Sequence, residues 1–214
     1  MNLVFLGPAG SGKGTQAKKL EAEYGVAQIS TGDLLREAVR NGTELGRQAD
    51  PLMKQGKLVP DDLVIGIIEE RFRQGGLEKG ILLDGFPRTV PQAEALDAML
   101  ERNGIDLDKV ISLEVPDELL YERITGRRSC PKCGTVYHLS AAPPKQPGVC
   151  DLDGTALIQR SDDTPEKLAN RLEVFKTEIP KVKQHYASKG LLSVVDGVGS
   201  PDAIFSSIRR ALGA

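Results

Sequence analysis

Two groups of residues have the types and spacing to do chemistry. The first is GPAGSGKGTQ, residues 7 to 16, where Gly7, Gly12 and Lys13 fit a phosphate cradle of the form G-x-x-x-x-G-K-[ST], while Gly14 stands at the hydroxyl position and Thr15 follows one step late. Glycines let backbone N–H groups turn inward on phosphate oxygens, a helix N-terminus adds its positive end, and Lys13 supplies a mobile charge. Thr15 is then the nearest hydroxyl to help hold Mg²⁺, and a carboxylate is needed from the end of a neighbouring strand. Asp84, between ILL and GFPR, fits that place, although it could instead cap the turn into Gly85. The second group is Cys130-Pro-Lys-Cys133, then sixteen residues, then Cys150-Asp-Leu-Asp153. Two x₂ pairs of this kind build a tetrahedral zinc site, and all four protein ligands would make it structural. Asp151 and His138 are rival fourth ligands. A redox Cys-x-x-Cys would open a helix, whereas Gly134 and TVYHL read as a knuckle turning into a strand.

Arginine is the other resource. Arg36, Arg88, Arg123, Arg127, Arg160 and Arg171 all fall near segment boundaries, and planar guanidinium groups suit the phosphoryl oxygens of a polyphosphate transition state. His138 and His185 match no catalytic role and read as structural or surface residues.

The elements that must position these groups follow from periodicity. LVFL (3 to 6), VAQIS (26 to 30), ILLD (81 to 84), VISLEV (110 to 115) and LLSVV (191 to 195) are short apolar runs alternating with helical patterns, which predicts an α/β fold with a five-stranded parallel sheet flanked by helices. The glycine loop lies between LVFL and a helix over KGTQAKKLEAEY. A second helix follows Pro60, with Leu63, Ile67, Ile68 and Phe72 on its apolar side. Two stretches break the alternation: a polar, helical insert at 30–59, and a segment at 127–163 with four prolines, all three cysteines and β-like runs at TVYHL and ALIQ. The core is therefore discontinuous, over 1–29, 60–126 and 164–214.

Bulk properties narrow the function. With 40% hydrophobic residues in 214, a sizeable core can be buried. A formal net charge of −2 gives no reason to expect a nucleic-acid partner. No basic leader and no long apolar run is present, which predicts a cytoplasmic chain without a membrane partner.

The motifs GPAGSGKGT, STGDLLR (30 to 36), LLDGFPRT (82 to 89) and ITGRR (124 to 128), in this order and spacing, resemble the adenylate kinase family over essentially the whole chain. The late threonine is that family's form of the loop. The resemblance implies a P-loop kinase that reversibly transfers phosphoryl from ATP to AMP to give two ADP, as a monomer. The insert would be the AMP-binding part, and the small β-rich segment a zinc-bearing lid over ATP. It implies ATP at Gly10, Ser11, Gly12, Lys13, Gly14 and Thr15, with Arg127, Val136 and Tyr137 from the lid and Val198 beside adenine. It implies AMP at Thr31, Arg36, Lys57, Leu58, Val59, Gly85, Phe86, Pro87, Arg88 and Gln92, with Arg160 and Arg171 reaching the phosphates and Arg123 the transferred group. Lys13, Asp84, Arg88, Arg123, Arg160 and Arg171 would then carry catalysis. From the residues alone, Ser30 and Asp33 form a capping-box pattern, and Gln92 could be solvated at a helix start.

A UMP/CMP kinase shares the glycine loop and DGFPR, but pyrimidine-type relatives tend to carry Ala where Thr31 stands and have much shorter lids. A zinc ribbon gripping nucleic acid, coupled to a nucleotide switch, would need aromatic stacking platforms, and the 127–163 segment offers only Tyr137.

Overall fold

The computed structural model describes residues 1–213. The chain runs β1 (Leu3–Leu6), α1 (Lys13–Tyr24), β2 (Ala27–Ser30), α2 (Thr31–Arg40), α3 (Glu44–Lys54), α4 (Asp61–Arg73), β3 (Ile81–Asp84), α5 (Val90–Arg102), β4 (Lys109–Glu114), α6 (Asp117–Thr125), β5 (Arg127–Ser129), β6 (Val136–His138), α7 (Pro165–Ser188), β7 (Leu192–Asp196) and α8 (Pro201–Leu212). Five strands form the parallel sheet in the order β2-β3-β1-β4-β7. Alternation along the central strand divides the core. Val4 and Leu6 face a cluster with Ile68, Leu96, Met99, Val182 and Tyr186, whereas Leu3 and Phe5 face one with Ala17, Leu20, Ile204 and Ile208. Helices α4, α5 and α7 therefore cover one face and α1 and α8 the other, as a parallel sheet buried on both sides requires.

The register places the chemistry. β1 pairs with β3 as Phe5↔Asp84 and with β4 as Leu6↔Ser112, so the loop after β1 and the end of β3 emerge at the same carboxyl edge. The chain leaves β1 for β2 on one side and later crosses to β4 on the other. That reversal is the crevice in which ligands of open α/β sheets sit.

Differences from the sequence reading are local. β2 begins at Ala27, one residue late, and β7 ends at Asp196. The buried line of α4 is Val64 and Ile68, with Leu63, Ile67 and Phe72 partly buried beside it. In the 127–163 segment TVYHL supplies β6, but its partner is β5, a polar RRS that carries no strand signal. ALIQ contributes only isolated bridges, Ser129↔Ile158 and Val149↔Ala156.

Candidate functional site

The loop from Gly7 to Gly12 bends through conformations that glycine alone adopts cheaply. Gly10 has φ 84° and Gly12 φ 95°, and a Cβ on Gly10 would meet Ile124 at 3.0 Å. Gly12 caps α1 without a side-chain hydrogen bond, so the first amides of the helix are left to a ligand. Ser11 is fully buried and its Oγ has no partner. Lys13 folds back over the loop, its Nζ donating to the carbonyls of Gly7 at 2.8 Å and Pro8 at 3.0 Å and standing 4.0 Å from the Asp84 carboxylate. Its pKa is pushed down to about 8, chiefly by burial; Asp84 opposes the shift, while Arg88, Arg171 and Arg127 reinforce it.

Gly14 and Thr15 are exposed on the first turn of α1. A Cβ on Gly14 would point into open space, with the Asp84 carboxylate its nearest neighbour at 3.9 Å. The Asp84 carboxylate faces this first turn and is an oxygen donor of the kind that a hard cation takes.

Beside this edge lies a hollow between α2, the end of α3, the 85–92 turn and α7. It is lined by Thr31, Arg36, Lys57, Leu58, Val59, Gly85, Arg88, Gln92 and Arg171, all singled out in the sequence. Gly32, Leu35, Met53, Gly56, Val64 and Asp162 also line it and were not foreseen. Their apolar or acidic character gives no signal until the fold brings them together. Phe86 is fully buried in the core and, with Pro87, stands outside the lining. Gln92 is buried rather than solvated. Its Oε1 accepts from the Arg88 amide at 2.8 Å and its Nε2 donates to Asp61 at 2.7 Å. Thr31 Oγ1 donates to the Asp84 carbonyl at 3.3 Å, and Ser30 Oγ accepts from the Asp33 amide as the cap of α2.

The arginines converge. Arg88 Nε donates to the Gly85 carbonyl at 2.8 Å, Arg36 pairs with Asp33 at 2.5 Å, and Arg171 pairs with Asp162 at 2.9 Å and Asp163 at 3.6 Å. Arg127 forms a two-pronged pair with the fully buried Asp163. Arg160 donates to Ser129 Oγ at 3.0 Å and lies 3.8 Å from Asp33. Burial is the main reason that Arg160 and Arg171 are each pushed down to about 10, and Arg88 is lowered for the same cause. Arg36, Arg88 and Arg171 line the hollow, whereas Arg127 and Arg160 stand outside its lining, and the cations that face it offer forks of the kind that suit anionic oxygens. Arg123 stands slightly apart, donating to the carbonyls of Gly10 at 3.4 Å and Gly197 at 3.1 Å. That ties the glycine loop to the 197–200 turn, where Val198 is exposed.

The cysteines also meet. Ligand atoms of Cys130, Cys133, Cys150 and Asp153 all lie within 4.8 Å of one another. Cys133 Sγ is 3.6 Å from Cys150 Sγ, and Cys130 Sγ is 3.4 Å from the nearer Asp153 oxygen. Tetrahedral zinc, with bonds of about 2.3 Å to sulfur and about 2.0 Å to oxygen, needs edges of about 3.8 and about 3.5 Å, which these two contacts approach. Asp151 accepts from the Lys145 amide instead, and His138 Nδ1 accepts from the Ser140 and Ala141 amides. Tyr137 turns its side chain into this cluster, its hydroxyl 3.5 Å from Cys150 Sγ, while Val136 is exposed.

Known proteins are similar in sequence to this chain over its length. The family described as adenylate kinase matches residues 5–191. Curated relatives named adenylate kinase include those of Carboxydothermus hydrogenoformans, 52% identical over 212 residues that cover 99% of each chain, and Archaeoglobus fulgidus, 51% identical over 99% of this chain and 98% of its own. That of Anaeromyxobacter dehalogenans is 47% identical over the whole of both. The chain belongs to the adenylate kinase family. Within that family's frame, the displaced threonine of the loop and the DGFPR turn occupy one sheet edge, and no histidine stands among the residues lining the hollow. Among the described residues no helix is long and apolar enough to cross a membrane.

Proposed function

We infer that this chain carries out the reaction of its family, the reversible transfer of the γ-phosphoryl group of ATP to AMP to give two ADP. The observation that carries this is one crevice in which an uncapped helix N-terminus, Lys13 and Asp84 face a hollow lined by Thr31, Arg36, Arg88, Gln92 and Arg171. Donor and acceptor phosphates can meet there in line.

In this reading the amides of Gly10 to Thr15 surround the ATP phosphates, and Lys13 leaves the Gly7 and Pro8 carbonyls for the β- and γ-oxygens. Arg127 and the Val136–Tyr137 stretch, Tyr137 through its backbone because its ring packs among the cysteines, cover the donor from 127–163, which acts as a lid, and Val198 flanks adenine. AMP occupies the other hollow, its phosphate on Arg36, Arg88 and Arg171, its base near Thr31, Gln92 and the Lys57–Val59 strand of chain. Mg²⁺, held through the oxygens of Asp84 and Thr15, would draw off charge from the phosphates of ATP. An AMP phosphate oxygen forms the new bond to the γ-phosphorus as the bond to the β-bridging oxygen breaks. Arg88, Arg123, Arg160 and Arg171 hold the spread charge. The attacking oxygen is already anionic near neutral pH, so no base has to remove a proton. Water is the rival acceptor, and closure of the 30–59 insert and the lid over both nucleotides excludes it.

Zinc, on Cys130, Cys133, Cys150 and Asp153, would be structural, since all four positions are protein ligands and the nucleotide chemistry has no use for it. The test is ADP formation requiring ATP, AMP and Mg²⁺ together, with GMP, CMP and UMP as alternative acceptors. Preference for a pyrimidine acceptor, or no transfer to AMP, would overturn this reading.

A further inference from the structure

The insert and the metal knuckle touch at one point that the phosphoryl chemistry does not use. Arg40, the last residue of α2, donates from Nη1 to the Pro131 carbonyl at 2.9 Å, across 91 residues of sequence. The arginines around it are engaged locally, Arg36 with Asp33 and Arg47 with Glu44, each at 2.5 Å. Arg40 instead reaches out of its own segment.

Its partner is a carbonyl that the knuckle leaves over. Within the turn the Cys130 amide donates to Thr135 at 2.8 Å, the Cys130 carbonyl accepts from Gly134 at 3.1 Å, and the Cys133 amide points at Cys130 Sγ at 3.4 Å. These bonds fix the turn and aim the Pro131 carbonyl outward, on a residue that is itself exposed. A guanidinium needs no special side chain there, only a carbonyl held still. The other approach along this seam, Arg160 to Asp33 at 3.8 Å, is too long for a hydrogen bond, and Asp33 already holds Arg36.

We propose that Arg40 is a positioning residue for phosphoryl transfer: it clasps the Pro131 carbonyl when insert and lid are both closed, and so couples AMP binding to occupancy of the ATP side. It rests on the two-nucleotide reading above. A contact that exists only with both parts closed adds nothing to either ligand alone and favours the second once the first is bound, and the coupling is the same in both directions. Arg40 is not among the residues lining the acceptor hollow, and among the described residues its one hydrogen bond outside its own segment is with Pro131, so its effect is confined to that coupling.

The experiment measures AMP affinity by calorimetry with and without a saturating non-transferable donor, Mg²⁺ with the β,γ-imido analogue of ATP. In the unaltered enzyme the donor analogue should tighten AMP, and no tightening there would overturn the coupling. Arg40→Ala should cut that enhancement by roughly three- to tenfold, leave AMP affinity without donor within about twofold, and raise both KM values more than it lowers kcat. Arg40→Lys should recover part of the enhancement. Pro131→Ala, which keeps the carbonyl, should match the unaltered enzyme. An enhancement unchanged in Arg40→Ala overturns the clasp, as does an equal loss of AMP affinity with and without donor, since Arg40 would then merely stabilise α2. Failure of the unaltered enzyme to transfer phosphoryl to AMP would strike the reaction itself, a different result.

Discussion

Lys13, proposed to hold phosphate, burdens the folded protein before any ligand arrives. It is 13% exposed, and its nearest oxygens are two neutral carbonyls, with a carboxylate 4.0 Å away. With its folded pKa pushed down to about 8 from 10.5, the lysine is disfavoured as a cation, a penalty of about 3 kcal/mol by linkage. The sign is definite. The penalty is fully present below pH 8, and stability recovers as pH rises from 8 toward 10.5, because the unfolded chain then binds the proton that the folded one has lost. Lys13→Met removes this term, so the stability of the parent relative to the variant should climb across that window, as read by urea midpoints at pH 7 and pH 10. A constant difference would show that Lys13 is solvated in the free enzyme. Activity runs the opposite way: kcat/KM should fall above about pH 8, where the free enzyme's cation is lost, and Lys13→Met should be nearly inactive at every pH. Arg88→Ala, which takes a fork from the rim of the acceptor hollow, should lower kcat/KM by two or more orders of magnitude with an unchanged circular dichroism spectrum. A folded Arg88→Ala enzyme with near-native turnover would remove it from the phosphate site.

The 127–163 segment, proposed as the lid, is where secondary structure is least able to hold itself. Its two-stranded sheet is three residues long on each side, and its apolar cluster consists of Cys130, Tyr137 and Cys150 with Leu157 packed against them. So small a core cannot offset the ordering of some three dozen residues, and a cross-link is the usual remedy. Zinc is the cross-link that the ligand geometry fits. One zinc per chain is therefore expected, and chelation should lower the melting temperature of the lid while activity at moderate temperature persists. An ion that binds only the folded lid contributes about 2.7 kcal/mol at a hundredfold excess over Kd. Asp153→Cys should keep the metal as tightly or more so, because it completes a four-thiolate shell at unchanged spacing. A chelated protein melting where the untreated one does would end the zinc reading and leave the kinase standing. The lid also marks where sequence reading loses its grip. The cysteine spacing singles out four residues that the fold does gather, because each x₂ interval keeps its two ends on one turn, whereas β5 carries no such signal: Arg127-Arg128-Ser129 has no β preference and forms a strand only by pairing with β6. In the core the reverse holds. LVFL, ILLD and the helix after Pro60 are plain from apolar periodicity, which sets Asp84 at the carboxyl end of a strand, while the register Phe5↔Asp84 comes only from the paired sheet. Met53, Val64 and Asp162 could not be assigned to the hollow in the same way, since an apolar or acidic residue joins a site only when tertiary packing turns it there.

Across the molecule, the glycine loop and the acceptor hollow share one sheet edge but hang on different segments, so damage to one should not travel freely to the other. Gln92 is the sharpest place to test that separation. Its amide joins three parts: Nε2 donates to Asp61 at the start of α4, Oε1 accepts from the Arg88 amide in the 85–89 turn, and its own backbone amide donates to Thr89 in the cap of α5. Gln92→Leu would leave the Arg88 amide without this acceptor, and Asp61 would keep only Thr89, at 3.0 Å. The turn that aims Arg88 would then lose its brace on the acceptor side, while the glycine loop, Lys13 and the 197–200 turn make no bond to Gln92. Thr31→Ala acts at the same hollow by removing the bond to the Asp84 carbonyl. Together the two substitutions should raise KM for AMP by roughly 5- to 150-fold, the equivalent of about 1 to 3 kcal/mol, and relax the choice among AMP, GMP, CMP and UMP. KM for ATP, measured at saturating AMP, should move less than about twofold. An equal rise for both nucleotides would mean that the brace supports the whole crevice, and the division of the edge into a donor and an acceptor side would fall with it.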